Sequence, residues 1–431
     1  MPASKPLLPE FLPDAFPRWA LVRHRVDDAG IADATSAVAA ALEPVTDLIA
    51  PGMRVCLTGG SRGIDRIDEV TRAVVAWVRA AGALPFIVPA MGSHGGATPV
   101  GQLAILEGYG ITAQTMGCEI RATMDTVHLG EVEPGIPVYL DRNAAEGADL
   151  IIPINRVKPH TGFTAATESG LQKMIAIGLG KQKGADVFHR QGYARFGELI
   201  PKVARHTMER APIRFGLALV EDGHSQLAHV EAVRADSIRQ REVELLAMAR
   251  STMARLPIDV VDVLVVDEIG KDISGVGMDP NVVGRGHDGL RPGGPTIQRI
   301  VVRGLTEATE GNACGIGMAE FALRRAVDAM DPRKTWMNEI TAKTPEGGRT
   351  PIALETDREA LAVAIAACVG VEVPTARVIR VRSTKDLELL LVSEAALPDV
   401  LATGRCEVVV PLAEIAFNED GMFVRSALEE R

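Results

Sequence analysis

Short apolar runs that are rich in β-branched residues alternate along the chain with segments of helical periodicity. Continuous apolar runs are typical of strands that are buried on both faces, and such strands with amphipathic helices between them form parallel sheets. The pattern therefore predicts an α/β fold. The predicted strands are residues 53–59, 84–90, 148–155, 215–221, 261–268 and 376–383. The predicted helices are residues 31–49, 65–82, 100–109, 194–210, 231–255, 318–329 and 357–369.

The length of the chain indicates two domains. At 431 residues it exceeds the size at which a single hydrophobic core keeps growing. A long helical pattern ends near Arg255, and Leu256 and Pro257 open a new strand. We therefore expect α/β domains over residues 1–255 and 256–431, with largely parallel sheets and a ligand-binding cleft between the two domains.

A segment rich in glycine and proline, residues 270–295, directly follows the predicted strand 261–268. Loops longer than about 12–15 residues in a compact domain are usually functional or disordered. Ligands of α/β folds bind at the carboxyl ends of the strands. We therefore expect this loop to face the cleft.

Composition and charge exclude several classes of function. A net charge of -10 and a pI near 5.5 argue against a protein that binds nucleic acid or an anionic membrane. The first residues contain too many prolines and acids for a signal peptide, and no apolar run is long enough to span a membrane, so we expect a cytoplasmic protein. The five cysteines are scattered and include no CxxC pair, which disfavours a disulfide framework or a cysteine zinc site.

Residues 155–189 form a Gly-rich run that is crowded with basic and titratable side chains. Such a run repels itself unless an anion lies among its charges, and its apolar stretch, residues 174–180, indicates that part of it is buried. A phosphate-bearing cofactor is the simplest partner, although each lysine taken alone also suits a solvated surface position. The candidate ligand-binding residues are Lys158, His160, Lys173, Lys181, Lys183 and His189.

Residues 58–64, TGGSRGI, follow a predicted strand and precede a helix, much like the dinucleotide loop of short-chain dehydrogenases. Asp65 stands where that loop needs its last glycine, and the chain has no YxxxK pair, so we reject nicotinamide binding here. Backbone N–H groups at the start of the helix, with Ser61 and Arg62 beside them, still suit an anion. A tight turn with a solvated arginine is the open alternative.

Four motifs in order resemble the nickel-pincer-nucleotide lactate racemase family: GSHGGAT at 92–98, NRVKPH at 155–160, SGLQK at 169–173, and His189. The resemblance implies that Lys173 tethers a pyridinium-3,5-bisthiocarboxylic acid mononucleotide through a thioamide. It implies that His189 completes the coordination of nickel, a pairing of soft sulfur and imidazole that suits this metal. It also implies that His94 and His160 are the two acid/base residues that a racemase needs, one for each enantiomer. We expect the cofactor to be lined by Ser61, Arg62, Lys158, Lys181 and Lys183.

The chain also departs from the family pattern. The acids of the family's Asp-Asp-x-Thr-Arg motif are absent before Arg62, and its Tyr-Gln-x-x-Lys sequence is replaced in the 270–295 loop. Lys271 or Arg285 is our candidate for gripping the substrate carboxylate. These departures suggest a substrate that is larger or more polar than lactate, such as a sugar acid or a dicarboxylate, in a site enlarged by the glycines of 275–294.

The predicted function is therefore racemisation or epimerisation of a small 2-hydroxy acid, with residues 1–255 as the cofactor-binding and catalytic domain. An enzyme that uses the same nucleotide for a net redox or elimination reaction is the first alternative. A non-catalytic nucleotide-binding protein is the second, although a carrier has no use for two opposed bases. The expected partners are the substrate and the proteins that make the cofactor, and a homo-oligomer stays open.

Overall fold

The computed structural model describes residues 5–287 and 289–429. Backbone contacts divide the chain into two compact units. The first, which we call the N-terminal unit, is Asp27–Met253. The second, the C-terminal unit, combines the residues up to Val26 with those from Ala254 onward.

The strands are short and numerous, as expected of an α/β protein. In chain order they are β1 (Trp19–His24), β2 (Arg54–Gly59), β3 (Leu84–Pro89), β4 (Glu119–Ile120), β5 (Thr126–Glu133), β6 (Ile136–Asp141), β7 (Leu150–Ile152), β8 (Ile154–Arg156), β9 (Phe215–Glu221), β10 (Leu227–Arg234), β11 (Val260–Val266), β12 (Arg285–Gly286), β13 (Gly289–Leu290), β14 (Thr296–Val302), β15 (Phe321–Leu323), β16 (Ile352–Leu354), β17 (Val378–Val381), β18 (Leu389–Ser393) and β19 (Cys406–Ala413).

The helices lie between the strands, and a π-helical segment, Met174–Gly178, joins two of them. The α-helices are α1 (Ala34–Leu42), α2 (Ile67–Ala80), α3 (Pro99–Gly108), α4 (Ala113–Met116), α5 (Arg142–Gly147), α6 (Leu171–Lys173), α7 (Lys181–Gln191), α8 (Phe196–Met208), α9 (Ile238–Thr252), α10 (Pro280–Val283), α11 (Arg324–Asp328), α12 (Pro332–Ala342), α13 (Asp357–Ala366) and α14 (Leu397–Ala402). None of the helices in the described ranges is long and apolar enough to cross a membrane.

The N-terminal unit is built on a parallel four-stranded sheet in the order β4-β3-β2-β7. A second sheet, β10-β9-β8, pairs β8 with β9 in parallel and β9 with β10 antiparallel. The predicted strand 148–155 is divided between these sheets at Pro153, because proline has no N–H to continue the ladder. The strand β7 therefore pairs with β2, whereas β8 pairs with β9.

The C-terminal unit contains an eight-stranded mixed sheet in the order β16-β15-β14-β11-β17-β18-β1-β19. Its first five strands are parallel, and β18, β1 and β19 are antiparallel to their neighbours. The strand β1 lies between β18 and β19, which is why the residues up to Val26 belong to this unit. The division thus differs from the expected domain of residues 1–255 at its N-terminus, while Met253 lies within two residues of the expected boundary at 255.

The α/β fold predicted from the apolar runs is confirmed, and most predicted strands and helices have their counterpart. Two predicted helices were wrong in part. The helix predicted at 231–255 begins only at Ile238, because Leu227–Arg234 pairs with β9 as a strand. The helix predicted at 318–329 is reduced to α11, because Phe321–Leu323 forms β15 beside β14.

Candidate functional site

The loop after β3 carries His94 in a fixed conformation. The amide nitrogen Nε2 of Gln102, a fully buried residue of α3, donates to the carbonyl oxygens of Gly92 at 3.0 Å and of His94 at 3.2 Å. Gly95 has a φ of 67°, and a Cβ there would lie 2.6 Å from the backbone of α3. Only glycine allows this close approach, so the GSHGG sequence serves the shape of the loop.

Hydrogen bonds at one ring nitrogen set the tautomer of His94. Its Nδ1 lies 2.8 Å from the carbonyl oxygen of Met91 and 3.0 Å from Oγ of Ser61. A carbonyl only accepts hydrogen bonds, so Nδ1 carries the proton and the neutral ring keeps a lone pair on Nε2. Ser61 is itself held in place, because the hydroxyl of Tyr109 donates to its carbonyl oxygen at 2.9 Å.

The second histidine, His160, is held in the opposite tautomer. The backbone N–H of Gly162 donates to its Nδ1 at 2.8 Å, so the neutral ring carries its proton on Nε2. The backbone N–H of His160 donates to the carboxylate of Glu168, which also accepts from the N–H of Ala165 at 3.0 Å. Glu168 is almost fully buried and forms an ion pair with Arg250, so the turn that carries His160 is anchored at both ends.

Lys173 ends the short helix α6, and a buried carboxylate holds the start of that helix. The N–H of Gln172 donates to Oε2 of Glu242 at 3.0 Å, and a Cβ on Gly170 would lie 2.5 Å from Oε1 of Glu242. Burial raises the pKa of Glu242 to about 7. Nδ2 of Asn155 donates to the carbonyl oxygen of Gly170 at 2.8 Å, which ties this turn to β8.

The amine of Lys173 lies in a positive environment. Its pKa is lowered to about 7, first by loss of hydration and then by the charges of Arg62 and Lys158, while Glu168 acts in the opposite direction. The side chain as a whole is half-buried, so the loss of hydration concerns the amine at its end. A substantial fraction of this amine is therefore neutral at physiological pH, unlike that of a surface lysine.

His189, near the end of α7, lies in a cluster of aromatic rings. The ring of Tyr193 is 6.2 Å from the ring of His189 and 5.9 Å from the ring of His160, measured between centroids. Phe196 lies 5.8 Å from His189 and 4.8 Å from Tyr193. Tyr193 therefore links the predicted metal ligand to one of the two predicted acid/base residues.

The predicted residues are thus joined by a chain of contacts within the N-terminal unit. Ser61 is hydrogen-bonded to His94, and the charge of the neighbouring Arg62 lowers the pKa of Lys173. A Cβ on Gly60 would lie 3.4 Å from the side chain of Met174, the residue after Lys173, so the Gly-rich turn packs on this segment. The sequence predicted a common site for these residues, and the contacts described above bring them close together in the N-terminal unit.

Lys181 is a structural residue, which corrects its prediction as a cofactor-binding residue. Its amine is fully buried and donates to the carbonyl oxygen of Pro89 and to Oε1 of Gln102, both at 2.7 Å. It also lies 3.3 Å from Oδ2 of Asp141, which is fully buried as well. Burial lowers the pKa of Lys181 and raises the pKa of Asp141, and each charge opposes the shift of the other. This network supports Gln102 beneath the loop of His94.

Lys183 is exposed on α7, and its amine lies 5.9 Å from the centroid of the Tyr139 ring. Tyr139 belongs to β6, which pairs with β5. Tyr139 does not belong to the group around Lys173, so the cofactor-binding role of Lys183 stays a prediction.

The two residues predicted to grip the substrate carboxylate belong to the C-terminal unit. Nζ of Lys271 donates to the carbonyl oxygen of Gly275 at 2.7 Å. Arg285 forms an ion pair with Glu320 and donates to the carbonyl oxygen of Ile297, so its guanidinium holds the loop against β14. This engagement corrects the prediction for Arg285, while the role of Lys271 stays a prediction.

The segment 270–295 is largely ordered, with Asp288 outside the described residues. It contains α10 and the strands β12 and β13, and Met278, Val282 and Val283 are buried. Gly277 has a φ of 81°, and a side chain there would meet the backbone of Cys314. This glycine therefore allows close packing, whereas side chains at Gly289 and Gly293 would meet open space, so enlargement of a substrate site by the glycines of 275–294 stays a prediction.

Sequence reasoning missed the residues that position the site. Gln102, Glu168 and Glu242 are all buried, and each holds a backbone segment that carries a predicted residue. For Glu242 the only signal in the sequence was an acid at an inward position of the helical periodicity. That signal is weak, because glutamates are also common on solvated helix faces. Glu168 directly precedes the SGLQK motif, and its position there gave no sign of burial.

Side chains that bind metals are sparse. Within residues 5–287 and 289–429, no group of three or more His, Cys, Asp and Glu side chains could hold a metal ion by itself. The five cysteines are free thiols, with Cys118 and Cys406 half-buried and the others buried. A metal at His189 would need donors from a bound group.

Part of the chain matches a known protein family. Residues 23–195 match the lactate racemase N-terminal domain, a range that includes His94, His160, Lys173 and His189. No curated protein sequence matches the chain.

Two solved structures are similar to the chain. A Thermotoga maritima protein from a structural genomics programme shares 14% identity over 74% of this chain and 84% of its own, with a TM-score of 0.47. The lactate racemase apoprotein from Thermoanaerobacterium thermosaccharolyticum shares 15% identity over 85% of this chain and 89% of its own, with a TM-score of 0.44.

Proposed function

Residues 23–195 match the lactate racemase N-terminal domain, and we propose that the chain is a lactate racemase-like enzyme that racemises or epimerises a 2-hydroxy acid other than lactate. The observation that carries the proposal is the amine of Lys173, whose pKa of about 7 is lowered by burial and by Arg62 and Lys158. A neutral amine among positive charges suits a covalent bond to an anionic group.

The residues of the N-terminal unit fit a nickel-pincer nucleotide tethered to Lys173. A neutral lysine amine is the nucleophilic form that a covalent tether requires. Arg62 and Lys158 lie near enough to lower its pKa, and their charges would compensate the phosphate of the nucleotide. His189 offers an imidazole ligand of the kind that suits nickel. When bound, this cofactor supplies the acceptor and donor of hydride.

His94 is the base of the proposed reaction. Its Nδ1–H is bonded to Met91, so Nε2 has the lone pair that takes the proton of the substrate hydroxyl. Loss of that proton together with hydride from the carbon turns the 2-hydroxy acid into a 2-oxo acid. Return of hydride to the other face, with a proton to the oxygen, gives the opposite configuration.

His160 begins the cycle as a hydrogen-bond donor. Its Nδ1 accepts from Gly162, so Nε2–H is presented to an oxygen of the substrate. To accept a proton at Nε2, the ring must carry its proton on Nδ1 and give up the bond from Gly162. The proposal therefore requires a local rearrangement of residues 160–162 in one direction of the reaction.

The choice of a substrate other than lactate rests on sequence. The acids before Arg62 and the Tyr-Gln-x-x-Lys sequence of the family are absent from this chain. Arg62 is exposed in the N-terminal unit, and a guanidinium suits the recognition of a carboxylate. We therefore propose an aldonate or a hydroxydicarboxylate as the substrate class, and we keep the expected cytoplasmic location as part of the proposal.

The proposal is tested on protein produced together with the cofactor pathway. We expect the intact mass to exceed that of the bare chain and nickel to be bound. Both signals should vanish in Lys173→Ala and persist in the matched control Lys202→Ala, which changes an exposed lysine on α8. Nickel and added mass that survive in Lys173→Ala would refute the tether. Faster turnover of lactate than of aldonates and malate would refute the substrate class.

The opposed tautomers of His94 and His160 favour a second candidate, a net redox or elimination reaction with the same cofactor. A single ready base suits a reaction that runs in one direction. Mass spectrometry of the product separates the candidates, because an epimerase conserves the mass of its substrate. A non-catalytic nucleotide-binding protein would leave every substrate unchanged.

A further inference from the structure

The C-terminal unit contains a cavity of about 570 Å³ that the function proposed above does not use. Its floor is formed where three neighbouring strands end, with Asp267 and Glu268 following β11, Arg303 following β14 and Arg382 following β17. We call it the arginine pocket. All of its lining residues belong to the C-terminal unit.

The topology of the sheet places the pocket where a ligand is expected. From β11 the chain proceeds outward on one side to β14, β15 and β16, and then returns to β17 on the other side of β11. The connections from β11 therefore leave toward opposite sides, which opens a crevice at the carboxyl ends of the strands. Open α/β sheets bind their ligands at such switch points.

Four arginines line the pocket, and one of them is fixed by a buried network. Arg303 is bonded to Asp267 through Nη1 at 2.8 Å and to both oxygens of Asp357 at 2.6 and 2.7 Å. Asp267 also accepts from Nε and Nη2 of the fully buried Arg380, at 2.8 and 2.9 Å. These two arginines and two aspartates balance one another in charge.

The remaining charges on the lining are mostly positive. Besides Arg303 and Asp267, the charged lining residues are three arginines and one acid: Arg325, Arg382, Arg425 and Glu268. Arg382 also lies 4.0 Å from the carboxylate of Asp386. Nε of Arg325 donates to the carbonyl oxygen of Arg303 at 2.9 Å, which orients its guanidinium at the edge of the pocket.

The walls of the pocket add an apolar side. Phe423 is buried, and the guanidinium carbons of Arg380 and Arg303 lie 4.6 and 5.1 Å from the centroid of its ring. The backbone N–H of Phe423 donates to Asp357 at 2.9 Å, so the ring is fixed to the same network as the arginines. Leu305 and Met422 complete the apolar lining.

We propose that the arginine pocket binds a small organic molecule with a doubly charged oxyanion, either a phosphate ester or a dicarboxylate. The planar guanidinium groups of Arg382 and Arg425 match pairs of oxygens on such a group. Glu268 accepts a hydrogen bond from a hydroxyl of the same ligand, and Phe423 packs against its carbon skeleton. The volume of the pocket lies in the range of ordinary small-molecule sites.

Calorimetric titration with inorganic phosphate in one arm and malonate in the other tests the proposal at constant ionic strength. We expect saturable one-site binding of at least one anion by the natural chain, and the stronger arm identifies the phosphate or the dicarboxylate as the source. The double variant Arg382→Gln with Arg425→Gln should weaken binding by about tenfold or more. The matched control Arg349→Gln, an exposed arginine of the same unit outside the pocket, should bind as the natural chain does.

The proposal is overturned if neither anion binds up to about 10 mM, or if the double variant binds both as tightly as the natural chain. Arg425 is exposed, so its single substitution leaves the fold intact and carries the test if the double variant fails to fold. The tether is read at Lys173 in the N-terminal unit, and anion binding is read at Arg382 and Arg425 in the C-terminal unit. Loss of the cofactor tether and loss of this pocket are therefore separate results.

Discussion

At the scale of single residues, the main feature is the pKa of the Lys173 amine, which lies well below that of an ordinary lysine. Three causes lower its pKa to about 7. The largest is burial, and the other two are the charges of Arg62 and Lys158. The surroundings favour the neutral form because a second and a third positive charge repel a protonated amine. The reactivity of this lysine thus depends on Arg62, more than 100 positions away in sequence, as well as on the nearer Lys158.

Replacing Arg62 should make Lys173 a more ordinary lysine. In Arg62→Gln one repelling charge is lost, so the pKa of Lys173 rises and acylation of its amine near neutral pH slows by roughly two- to fivefold. Mass spectrometry of peptides after brief acetylation at several pH values measures the effect. The control Arg72→Gln changes an exposed arginine that pairs with Asp68. An equal rate in Arg62→Gln and in the natural chain would contradict the assignment.

The two histidines should show their tautomers directly. At a pH of about 8, where an ordinary imidazole is neutral, the nitrogen-15 shifts of His94 should show a proton on Nδ1 and those of His160 a proton on Nε2. The reason is that the carbonyl oxygen of Met91 can only accept a hydrogen bond from His94, whereas the backbone N–H of Gly162 can only donate one to His160. Identical tautomers in both rings would remove the basis for assigning different starting roles.

At the scale of secondary structure elements, the start of α6 depends on Glu242. This buried acid of α9 accepts the N–H of Gln172, and its other oxygen, Oε1, lies where a side chain on Gly170 would stand. The segment that carries Lys173 is therefore positioned by a helix about 70 residues later in the chain. A π-helical segment follows directly, a distortion that is frequent at functional sites.

A side chain at position 170 should disturb this element. Gly170→Ala places a Cβ 2.5 Å from Oε1 of Glu242, so the carboxylate must move within a buried site. We expect the free energy of unfolding to fall by about 1–3 kcal/mol, measured by urea denaturation. The matched control is Gly108→Ala in α3, where a Cβ meets open space and helix propensity favours alanine. Equal stabilities of the two variants would contradict the contact.

Glu242 should also make stability depend on pH. Its pKa is about 7 in the folded chain against an ordinary value of 4.5, so the folded state keeps a proton that the unfolded state loses. The stabilising contribution of the protonated carboxyl is fully present below about pH 4.5 and is lost as the pH rises through about 7. Relative to Glu242→Gln, which does not titrate, the natural chain should lose up to ~3 kcal/mol across this window. A difference in unfolding free energy that stays constant from acid to neutral pH would contradict the burial of this group.

At the scale of the whole molecule, the first residues of the chain complete the C-terminal unit. The strand β1 pairs with β18 along one edge and with β19 along the other. The strand β19 is thereby joined to the main sheet only through a strand from the opposite end of the chain, whereas β18 also pairs with β17. The core of this unit includes Ala20 and Val22 from β1.

Deleting residues 1–26 should therefore loosen the C-terminal unit and leave the other unit intact. Without β1, the ladders of β18 and β19 lose their shared partner, and β19 loses its connection to the sheet. We expect amide hydrogen exchange in β18 and β19 to accelerate by about tenfold or more. Exchange in β2 and β3 of the N-terminal unit serves as the internal control. Unchanged protection in β19 would contradict the topology.

The sequence by itself determined the α/β fold class and most of the buried strands, and it singled out the candidate residues of the site. These features are written locally, because apolar runs and motifs such as GSHGG and SGLQK act through neighbours in the chain. The approximate position of the division near 255 was also readable, since a helical pattern ends there.

Only the tertiary structure decided which charges are buried and which strands are shared. Lys181 and Lys183 are two residues apart, yet one is paired with Asp141 in the core and the other is exposed. The pairing of β1 with β19 and the meeting of Arg303 with Arg382 depend on residues far apart in the chain. Periodicity reports which face of an element is apolar, but the partner that covers that face is chosen by the fold as a whole.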